Sequence, residues 1–337
     1  YSKVIEGTIP TPAAIDQLLE VLKNSQNLAI VVGADVDRQD AFNTAVKLAE
    51  RLQAHVWAAP YSSRASFPED HTQFAGFLPA LPEQLSKKLS GYDVVLVIGA
   101  PVFTLHIAGD VTIFDSAVKI YQITDDPKYA AFASATTTLF GSINHSISAM
   151  LDKILPLSDS QSDKFVTPLR PAAPKVTGAT PIPVEYAIDL LSHARPSDSI
   201  IVEEAPSHRS VIQRFLPITQ AQGFFTMSSG GLGYALPASV GVALSTNKRV
   251  VCLIGDGSSM YSIQAVWTAA QLNLPVTFIV LNNFGYGAMH SFGKIMKSQS
   301  VPGLDLPNID FVQVANSMGC EGACIKEHEN LPEAIHK

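Results

Sequence analysis

Two short apolar runs, each followed by a polar turn, constrain the fold of this chain most. Residues 250–254 (VVCLI) lead into Gly-Asp-Gly at 255–257, and residues 276–281 (VTFIVL) lead into Asn-Asn at 282–283. Apolar runs of this length, bounded by turn residues, are typical of buried parallel strands. The sequence therefore predicts two neighbouring strands with polar side chains at their carboxyl ends.

The segment between these two runs has the periodicity of a helix. Four apolar residues recur at i, i+3, i+4 and i+7: Ile263, Val266, Trp267 and Ala270. They form one predicted apolar stripe. Because a strand–helix–strand unit returns parallel to itself, Asp256 and Asn283 are expected at the same carboxyl edge of the sheet. Ligands of open α/β sheets bind at this edge.

The side chains expected at this edge suit a magnesium ion that bridges a diphosphate. Asp256 and Asn283 offer hard oxygen ligands, and Gly257 lets the backbone approach a ligand closely. The following helix N-terminus presents free N–H groups and a partial positive charge. Mg²⁺ prefers an octahedral set of carboxylate, neutral and phosphate oxygens with water. Either turn alone is commonplace, but the pair, with 24 residues between Gly257 and Asn282, predicts a cation site.

The same pattern resembles the signature of thiamine-diphosphate (ThDP) enzymes, in which Gly-Asp-Gly precedes Asn-Asn by some two dozen residues. The resemblance covers nearly the whole chain and is greatest to the 2-oxo acid decarboxylases, in particular the benzoylformate decarboxylase group. It implies that Mg²⁺ is held by Asp256, Asn283 and the main-chain carbonyl of Gly285. Further segments that carry it are residues 93–103 (DVVLVIGAPVF), 229–237 (SGGLGYALP), 282–288 (NNFGYGA) and 301–305 (VPGLD).

The resemblance also implies which residues contact the cofactor. Leu232 matches the bulky residue that holds ThDP in a bent shape, and the carbonyl of Gly230 accepts a hydrogen bond from its amino group. Two bland alternatives stay open: Leu232 as a core leucine of the following helix, and Tyr261 as a buried tyrosine with a satisfied hydroxyl. The full set of expected cofactor contacts is Ser207, Gly230, Leu232, Gly257, Ser258, Tyr261 and Tyr286.

The resemblance implies that His106 is the catalytic residue. It matches a histidine of these decarboxylases that enters the active site from the middle domain and transfers a proton. An imidazole can take up and release a proton near neutral pH. The alternative is a loop histidine that faces solvent. Thr226 stands where the resemblance leads us to expect an aromatic residue, which makes that wall smaller and more polar. The expected substrate-pocket residues are Thr226, Ala288, Met289 and Phe292.

Strands and helices alternate along the first half of the chain. Apolar runs predict strands at residues 29–32, 56–59, 93–98 and 118–123, with helical stripes between them. This alternation is typical of a parallel sheet covered on both faces. The predicted fold class is therefore α/β, with two doubly wound parallel-sheet domains.

A proline-rich segment divides the chain. Residues 156–183 contain six prolines and follow neither the helical nor the strand period, which is typical of a linker. We predict a middle Rossmann-like domain at residues 1–155, the linker at 156–183, and a diphosphate- and Mg²⁺-binding domain at 184–337. The last domain is expected to be truncated at its C-terminus, after a short strand at 323–325.

Composition excludes several classes of partner. The net charge of −7 over 337 residues, without a basic run, argues against nucleic acid. An apolar run long enough to span a membrane, about 18 residues, is absent from the sequence. The three cysteines form no disulfide framework, so we expect a reducing, cytoplasmic setting. An anionic cofactor therefore needs local help from Mg²⁺ and helix N-termini.

The resemblance implies Mg²⁺- and ThDP-dependent, non-oxidative decarboxylation of a small-molecule 2-oxo acid, with benzoylformate converted to benzaldehyde and CO₂. Proteins of this type carry an N-terminal domain with the carboxylate that activates the cofactor, so this chain alone is expected to be an inactive fragment. The intact protein is expected to be a homo-oligomer, a dimer or tetramer. Two alternatives stay open: an acetolactate synthase-like carboligase or flavin-containing oxidase, and a non-catalytic cofactor-binding module.

Overall fold

The computed structural model describes residues 8–106, 118–133, 136–156, 165, 167–228, 230–298 and 300–336. The chain forms two compact units. The first comprises Tyr1–Pro171 together with Ile218–Gln222, and the second comprises Ala172–Pro217 and Gly223–Lys337. The first division falls within the proline-rich segment, and the domain boundaries predicted at 155 and 184 stay predictions.

Six parallel strands form the sheet of the first unit, in the order β3-β2-β1-β4-β5-β6. This order reverses between β1 and β4, as in a doubly wound fold. The strands are β1 (Leu28–Val32), β2 (His55–Ala58), β3 (Phe74–Phe77), β4 (Val94–Ile98), β5 (Lys119–Thr124) and β6 (Thr136–Phe140). The helices are α1 (Pro12–Asn24), α2 (Ala34–Arg38), α3 (Phe42–Leu52), α4 (Pro82–Leu89), α5 (Pro127–Phe132) and α6 (Ile143–Leu151).

The central strands of this sheet are buried on both faces. Every residue of β1 and of β4 is buried, as the unbroken apolar runs LAIVV and VVLVI predict. The two edge strands β3 and β6 escaped prediction. Gly76 of β3 has a φ of +121°, and the β2–β3 register shifts between Val56 and Trp57. Strand β6 is half-exposed, so neither edge carries a clear period.

The second unit contains four parallel strands in the order β10-β9-β7-β8. The strands are β7 (Ile200–Glu204), β8 (Phe224–Thr226), β9 (Val250–Gly255) and β10 (Val276–Leu281). The helices are α7 (Val184–Ala194), α8 (Arg209–Phe215), α9 (Ala235–Thr246), α10 (Asp256–Ser259), α11 (Ala265–Gln271), α12 (Gly287–Ile295), α13 (Phe311–Ser317) and α14 (Leu331–His336). The predicted fold class of two parallel-sheet α/β domains is confirmed.

Three details of the second unit differ from the predictions. Strand β10 was expected to be buried, but it forms an edge of the sheet and its side chains are partly exposed. Trp267 was expected in the apolar stripe, but it is 55% exposed. Helix α11 instead packs through the small side chains of Ala265, Val266 and Ala269. Residues 323–325 do not form a strand.

A five-residue segment of the second half of the sequence belongs to the first unit. Ile218–Gln222 lies between α8 and β8. The backbone N–H of Ile218 donates to Oε2 of Glu69 at 3.1 Å, and the N–H of Gln222 donates to Oδ1 of Asp37 at 2.7 Å. Because both acceptors are buried carboxylates, these hydrogen bonds fix the segment firmly.

No described helix has the length and apolar character that crossing a lipid bilayer requires. The three cysteines of the chain are free thiols. Cys252 is fully buried in β9, Cys320 is half-buried and Cys324 is exposed. Burial raises the pKa of the Cys252 thiol to about 12, and a thiol reacts only as its thiolate.

Iodoacetamide is therefore expected to alkylate Cys324 in the folded protein and to leave Cys252 unmodified until the chain unfolds. Mass spectrometry of tryptic peptides measures both rates in one sample. The same reaction in concentrated urea, where all three thiols are accessible, is the control. Native-state labelling of Cys252 as fast as that of Cys324 would contradict the burial of β9.

Candidate functional site

The carboxyl ends of three neighbouring strands carry the polar residues of the second unit. Glu204 at the end of β7 lies opposite Ile254 of β9, and Gly255 lies opposite Leu281 of β10. Asp256 follows directly after β9, and Asn283 lies two residues beyond the end of β10. The sheet register therefore brings the two halves of the sequence signature to one edge.

Asp256 is the buried centre of this edge, with 2% of its surface exposed. Its Oδ1 accepts a hydrogen bond from the N–H of Gly257 at 2.9 Å, and its Oδ2 accepts one from the N–H of Gly285 at 2.9 Å. Gly285 follows the Asn-Asn pair. The carboxylate therefore links the turn after β9 directly to the turn after β10.

Asn283 completes a cluster of three oxygens. The terminal atom placed as its side-chain oxygen lies 2.7 Å from the carbonyl oxygen of Gly285 and 3.1 Å from Oδ1 of Asp256. Such a contact between acceptors is satisfied either by a cation or by turning the amide, so that its NH₂ donates to both oxygens. Ligands on adjacent corners of an octahedron with bonds of about 2.0–2.1 Å lie about 2.9 Å apart. The two distances from the Asn283 side chain are therefore those expected between neighbouring Mg²⁺ ligands when its oxygen faces the other two.

This oxygen cluster contains a single carboxylate. Within the described part of the chain, no group of three or more His, Cys, Asp or Glu side chains could hold a metal ion. A site made of one carboxylate, one amide oxygen and one main-chain carbonyl is not such a group, because only one of its ligands comes from those four residue types. Its low charge suits a cation that also binds an anionic phosphate ligand.

Three glycines allow the close approach of the turns. A Cβ on Gly257 would lie 2.5 Å from Cε1 of Tyr286, and a Cβ on Gly285 would lie 2.5 Å from the carbonyl oxygen of Leu304. A Cβ on Gly287 would lie 2.8 Å from Nδ2 of Asn283. Side chains at these positions would push the cluster apart. These glycines are therefore needed because a Cβ atom would not fit, and not because their φ angles are positive.

The remaining residues predicted to bind a diphosphate surround this cluster. Ser258 is buried within α10, the helix that opens at Asp256. The Oγ of Ser207 accepts a hydrogen bond from the N–H of Ala288 at 2.8 Å, which leaves the hydroxyl proton of Ser207 free to donate. These hydroxyl groups are at positions from which they can donate hydrogen bonds to an anion. The individual role of each residue stays a prediction.

The two predicted tyrosines contact each other. Tyr261 is 59% exposed, so the alternative of a buried tyrosine at this position is wrong. Burial of Tyr286 is the main cause that raises its phenol pKa, and its hydrogen bond with Tyr261 adds to the shift. Tyr286 lies against Gly257, so its ring lines the turn that carries the Asp256 carboxylate.

The loop before α9 carries Gly230 and Leu232. Leu232 precedes the first residue of α9 and is partly exposed, so the alternative of a core leucine within that helix is wrong. Gly230 and Gly233 have φ values of +74° and +96°, which favour glycine. Leu232 is thus presented on a glycine-rich loop at the same sheet edge.

Glu204 is a site residue that the sequence analysis missed. It is fully buried at the end of β7. Its Oε1 accepts from the N–H of Gly233 at 2.7 Å, and its Oε2 accepts from the N–H groups of Tyr234 and Ala235 at 2.7 and 2.6 Å. Burial raises the pKa of this carboxyl, while the three backbone hydrogen bonds lower it and the neighbouring Glu203 raises it again. Its signal was the pair of acidic residues that ends the run IIVEE.

Glu203 forms a separate, internal network. Its Oε2 lies 2.5 Å from Nη2 of Arg209 and accepts from the Thr226 hydroxyl at 2.8 Å. Its Oε1 accepts from the N–H of Ala205 at 2.6 Å. The charge of Arg209 is therefore paired within the protein. Thr226 is only 2% exposed, so its described contacts are internal and its place in a substrate pocket stays a prediction.

The other predicted pocket residues lie on α12. Met289 is 47% and Phe292 38% exposed, and Ala288 is partly exposed. Helix α12 has no buried residue, so it presents apolar side chains at the sheet edge. Contact with a substrate stays a prediction.

His106 lies in the first unit, whereas the other predicted site residues lie in the second. It is exposed, in the loop that follows β4, and its backbone N–H donates to the carbonyl of Ala80 at 2.9 Å. The hydroxyl of Tyr61 contacts the imidazole, whose ring meets that of Tyr61 edge-on at 4.7 Å between centroids. The catalytic role of His106 stays a prediction.

Replacing Gly257 by Ala is expected to destabilise the protein by about 1–3 kcal/mol, because the new methyl group overlaps the ring of Tyr286. Gly241→Ala is the matched control: a Cβ there meets nothing within 4 Å, and a helical glycine replaced by alanine gains about 0.5–1 kcal/mol. Urea unfolding of both variants measures the free energies. Equal stability of the two variants would contradict the described packing of Tyr286.

The burial of His208 is expected to make the free energy of unfolding depend on pH. Burial lowers the pKa of its imidazole below the ordinary value of 6.5, while Glu185 and Asp256 oppose the shift. The unfolded chain therefore binds a proton before the folded protein does, so the free energy of unfolding falls as pH drops below 6.5. His208→Gln should lose this part of the pH dependence, measured as thermal unfolding across about pH 5–8. His193→Gln, at an exposed position of α7, should retain the wild-type dependence.

Comparisons with known proteins identify both units. Residues 15–150 match the family described as thiamine pyrophosphate enzyme, central domain. Residues 205–337 match the family described as thiamine pyrophosphate enzyme, C-terminal TPP binding domain. Thiamine pyrophosphate is another name for thiamine diphosphate. The resemblance seen in the sequence is thus confirmed in two separate parts of the chain.

Individual relatives agree with the family models. Benzoylformate decarboxylase of Pseudomonas aeruginosa is 36% identical over 334 residues, which are 99% of this chain and 62% of the relative. Sulfoacetaldehyde acetyltransferase of Alcaligenes xylosoxydans xylosoxydans is 25% identical over an alignment of 381 positions, gaps included, that covers 99% of this chain and 63% of the relative. The chain thus spans less than two thirds of the length of these relatives.

Solved structures share the fold over the same extent. Benzoylformate decarboxylase from Polynucleobacter necessarius superposes with a TM-score of 0.92 at 32% identity, covering 99% of this chain and 63% of that one. The thiamine diphosphate-dependent 4-hydroxybenzoylformate decarboxylase of Rhodococcus jostii RHA1 gives 0.93 at 34% identity, with 99% and 63% covered. From the two family models and these relatives, the chain belongs to the thiamine pyrophosphate enzymes, with the central domain and the C-terminal TPP-binding domain of that family.

Proposed function

We propose that this chain binds Mg²⁺ and the diphosphate of thiamine diphosphate, and that the protein to which it belongs decarboxylates an aryl 2-oxo acid such as benzoylformate. The observation that carries the proposal is the oxygen cluster of Asp256, Asn283 and Gly285. The terminal side-chain amide of Asn283 lies 2.7 Å from the carbonyl oxygen of Gly285 and 3.1 Å from Oδ1 of Asp256, and with the amide oxygen in that place these are the separations of neighbouring ligands of an octahedral cation.

The residues around the cluster suit a diphosphate. Mg²⁺ would be held by Asp256, Asn283 and the carbonyl of Gly285, and its remaining positions would take phosphate oxygens and water. Ser207 has a hydroxyl proton free to donate, and Ser258 lies in the turn that follows the carboxylate. Because Arg209, which follows Ser207 by two residues, is paired with Glu203, the cation would neutralise the charge of the diphosphate.

When bound, thiamine diphosphate supplies a nucleophilic carbon and an electron sink for decarboxylation. The protein's part is to orient the keto acid, exclude water and deliver a proton to the product. We assign the proton delivery to His106, an exposed histidine in contact with the Tyr61 hydroxyl. Imidazoles exchange protons near neutral pH, as this step requires.

An aryl substrate is supported by two observations. Relatives with high similarity are named benzoylformate and 4-hydroxybenzoylformate decarboxylases. Met289 and Phe292 expose apolar side chains on α12, the helix that begins four residues after Asn283, and such a surface suits an aromatic ring better than the methyl group of pyruvate. The alternative is an acetolactate synthase-like reaction. A homo-oligomer and a cytoplasmic location remain proposals based on the resemblance and the free thiols.

Isothermal titration tests the cation site. The chain is expected to bind thiamine diphosphate and inorganic pyrophosphate with Mg²⁺ and not with EDTA. Asp256→Asn should weaken binding by more than about 100-fold, since removing even an outer-shell partner of a metal ligand costs about 10–100-fold. Asp198→Asn, an exposed carboxylate of the same unit, is the control and should bind as the wild type does.

The reaction is tested on the complete protein that carries this chain, with benzoylformate and pyruvate as competing substrates. Release of CO₂ and benzaldehyde, lost in Asp256→Asn and retained in Asp198→Asn, is expected. Acetolactate from pyruvate, together with flavin absorbance, would favour the carboligase alternative. Cofactor binding without either product would favour a non-catalytic binding module. The chain alone is expected to turn over neither substrate.

A further inference from the structure

The glycine-rich loop before α9 is held by one carboxylate. Three consecutive N–H groups, of Gly233, Tyr234 and Ala235, donate to the two oxygens of Glu204 at 2.6–2.7 Å. Glu204 itself is fully buried. A charged acceptor shared by three donors makes stronger hydrogen bonds than a neutral one.

This loop has few other means of keeping its shape. Glycine loses more conformational freedom on folding than any other residue, and Gly230, Gly231 and Gly233 fall within four positions. Among the described residues, no atom beyond the adjacent residues of the chain would lie within 4 Å of a Cβ on Gly230, so no described side chain packs against that position. The N–H groups of the first turn of a helix also lack partners within the helix. Glu204 therefore satisfies and fixes the loop at its other end.

The sheet relates this anchor to the cation cluster. Glu204 is the last residue of β7 and lies opposite Ile254 of β9 in a parallel ladder. Asp256 follows Ile254 by two residues, and its own carboxylate binds the turn that carries Gly285. Two buried carboxylates, one at the end of β7 and one directly after β9, therefore hold two separate loops at one edge, and the hydrogen-bonded ladder of β7 and β9 fixes the separation of their backbones.

We propose that Glu204 is a positioning residue for the cofactor: it sets the distance between the loop of Gly230 and Leu232 and the cluster that binds the diphosphate. The inference rests on the proposed function, in which these two groups serve opposite ends of thiamine diphosphate. Glu204 acts through the loop and need not touch the cofactor. The competing explanation is an ordinary helix cap, whose loss would weaken α9 without regard to which ligand is bound.

Glu204→Gln is the decisive variant, because it keeps the size of the side chain but turns one acceptor into a donor that faces N–H groups. Glu203→Gln is the matched control: the neighbouring glutamate is equally buried but is bonded to Arg209 and Thr226. Glu204→Asp keeps the charge and shortens the side chain, and serves if Glu204→Gln fails to fold. Two ligands distinguish the two ends of the site. Inorganic pyrophosphate with Mg²⁺ tests the diphosphate end alone, and thiamine diphosphate with Mg²⁺ tests both ends.

The expected result is that Glu204→Gln weakens thiamine diphosphate binding by about tenfold and leaves pyrophosphate binding unchanged, since a buried hydrogen bond lost from a charged partner has about this effect. Hydrogen exchange of the peptide spanning residues 230–238 should be faster in that variant, while the peptide spanning 250–258 should be unchanged. Glu203→Gln should change neither the exchange of 230–238 nor the ratio of the two affinities.

Each other outcome decides against one statement. Equal losses for both ligands, or unchanged exchange at 230–238 in Glu204→Gln, would overturn the positioning role. Wild-type protein that binds neither ligand would overturn the proposed function instead, and the exchange experiment, which needs no ligand, would still test whether Glu204 holds the loop.

Discussion

The carboxylate of Asp256 connects two turns that are distant in sequence. Its hydrogen bonds to the N–H groups of Gly257 and Gly285 bring the ends of β9 and β10 together. They also fix both oxygens of a buried charge. The third member, Asn283, can then meet Oδ1 of Asp256 and the carbonyl of Gly285 at once. Without this carboxylate, the turn after β10 would keep its backbone hydrogen bonds to residues 304–306 but lose its link to the turn after β9.

The same sheet edge holds two more buried carboxylates, and each is stabilised differently. Glu203 is neutralised by Arg209, and Glu204 is solvated by three backbone N–H groups. Strand geometry explains the division, because successive side chains point to opposite faces of a sheet. One face thus receives an ion pair and the other a loop anchor. Asp256, one strand away, accepts hydrogen bonds from the N–H groups of Gly257 and Gly285 and lies 3.1 Å from the side-chain amide of Asn283.

The sequence was sufficient for the parts of the site that lie in short local motifs. Asp256 and Asn283 each follow a strong apolar strand, and parallel pairing then requires them to meet. Glu204 was missed because its partners, the N–H groups of residues 233–235, are backbone atoms some 30 residues away and leave no side-chain pattern. Trp267 was misplaced because helix α11 packs through Ala265, Val266 and Ala269, a face that shares only Val266 with the predicted apolar stripe.

Edge strands were the other failure. Strands β3, β6 and β8 are short and partly exposed, so they show neither the continuous apolar run of a central strand nor a clean alternation. The pocket role of Thr226 could not be judged from sequence either, since its hydroxyl is committed to Glu203. What a side chain does at this edge depends on neighbours that only the folded sheet brings into contact.

The segment Ile218–Gln222 has a consequence for the autonomy of the two units. Because it belongs to the first unit while the residues on both sides belong to the second, the polypeptide passes between them three times. A protease that cleaves only near residue 172 would separate Glu69 and Asp37 from this segment in the sequence. The hydrogen bonds from the segment to these two carboxylates would still connect the two products non-covalently. A fragment that begins at that point would contain Ile218–Gln222 without Glu69 and Asp37, the carboxylates that accept its backbone hydrogen bonds.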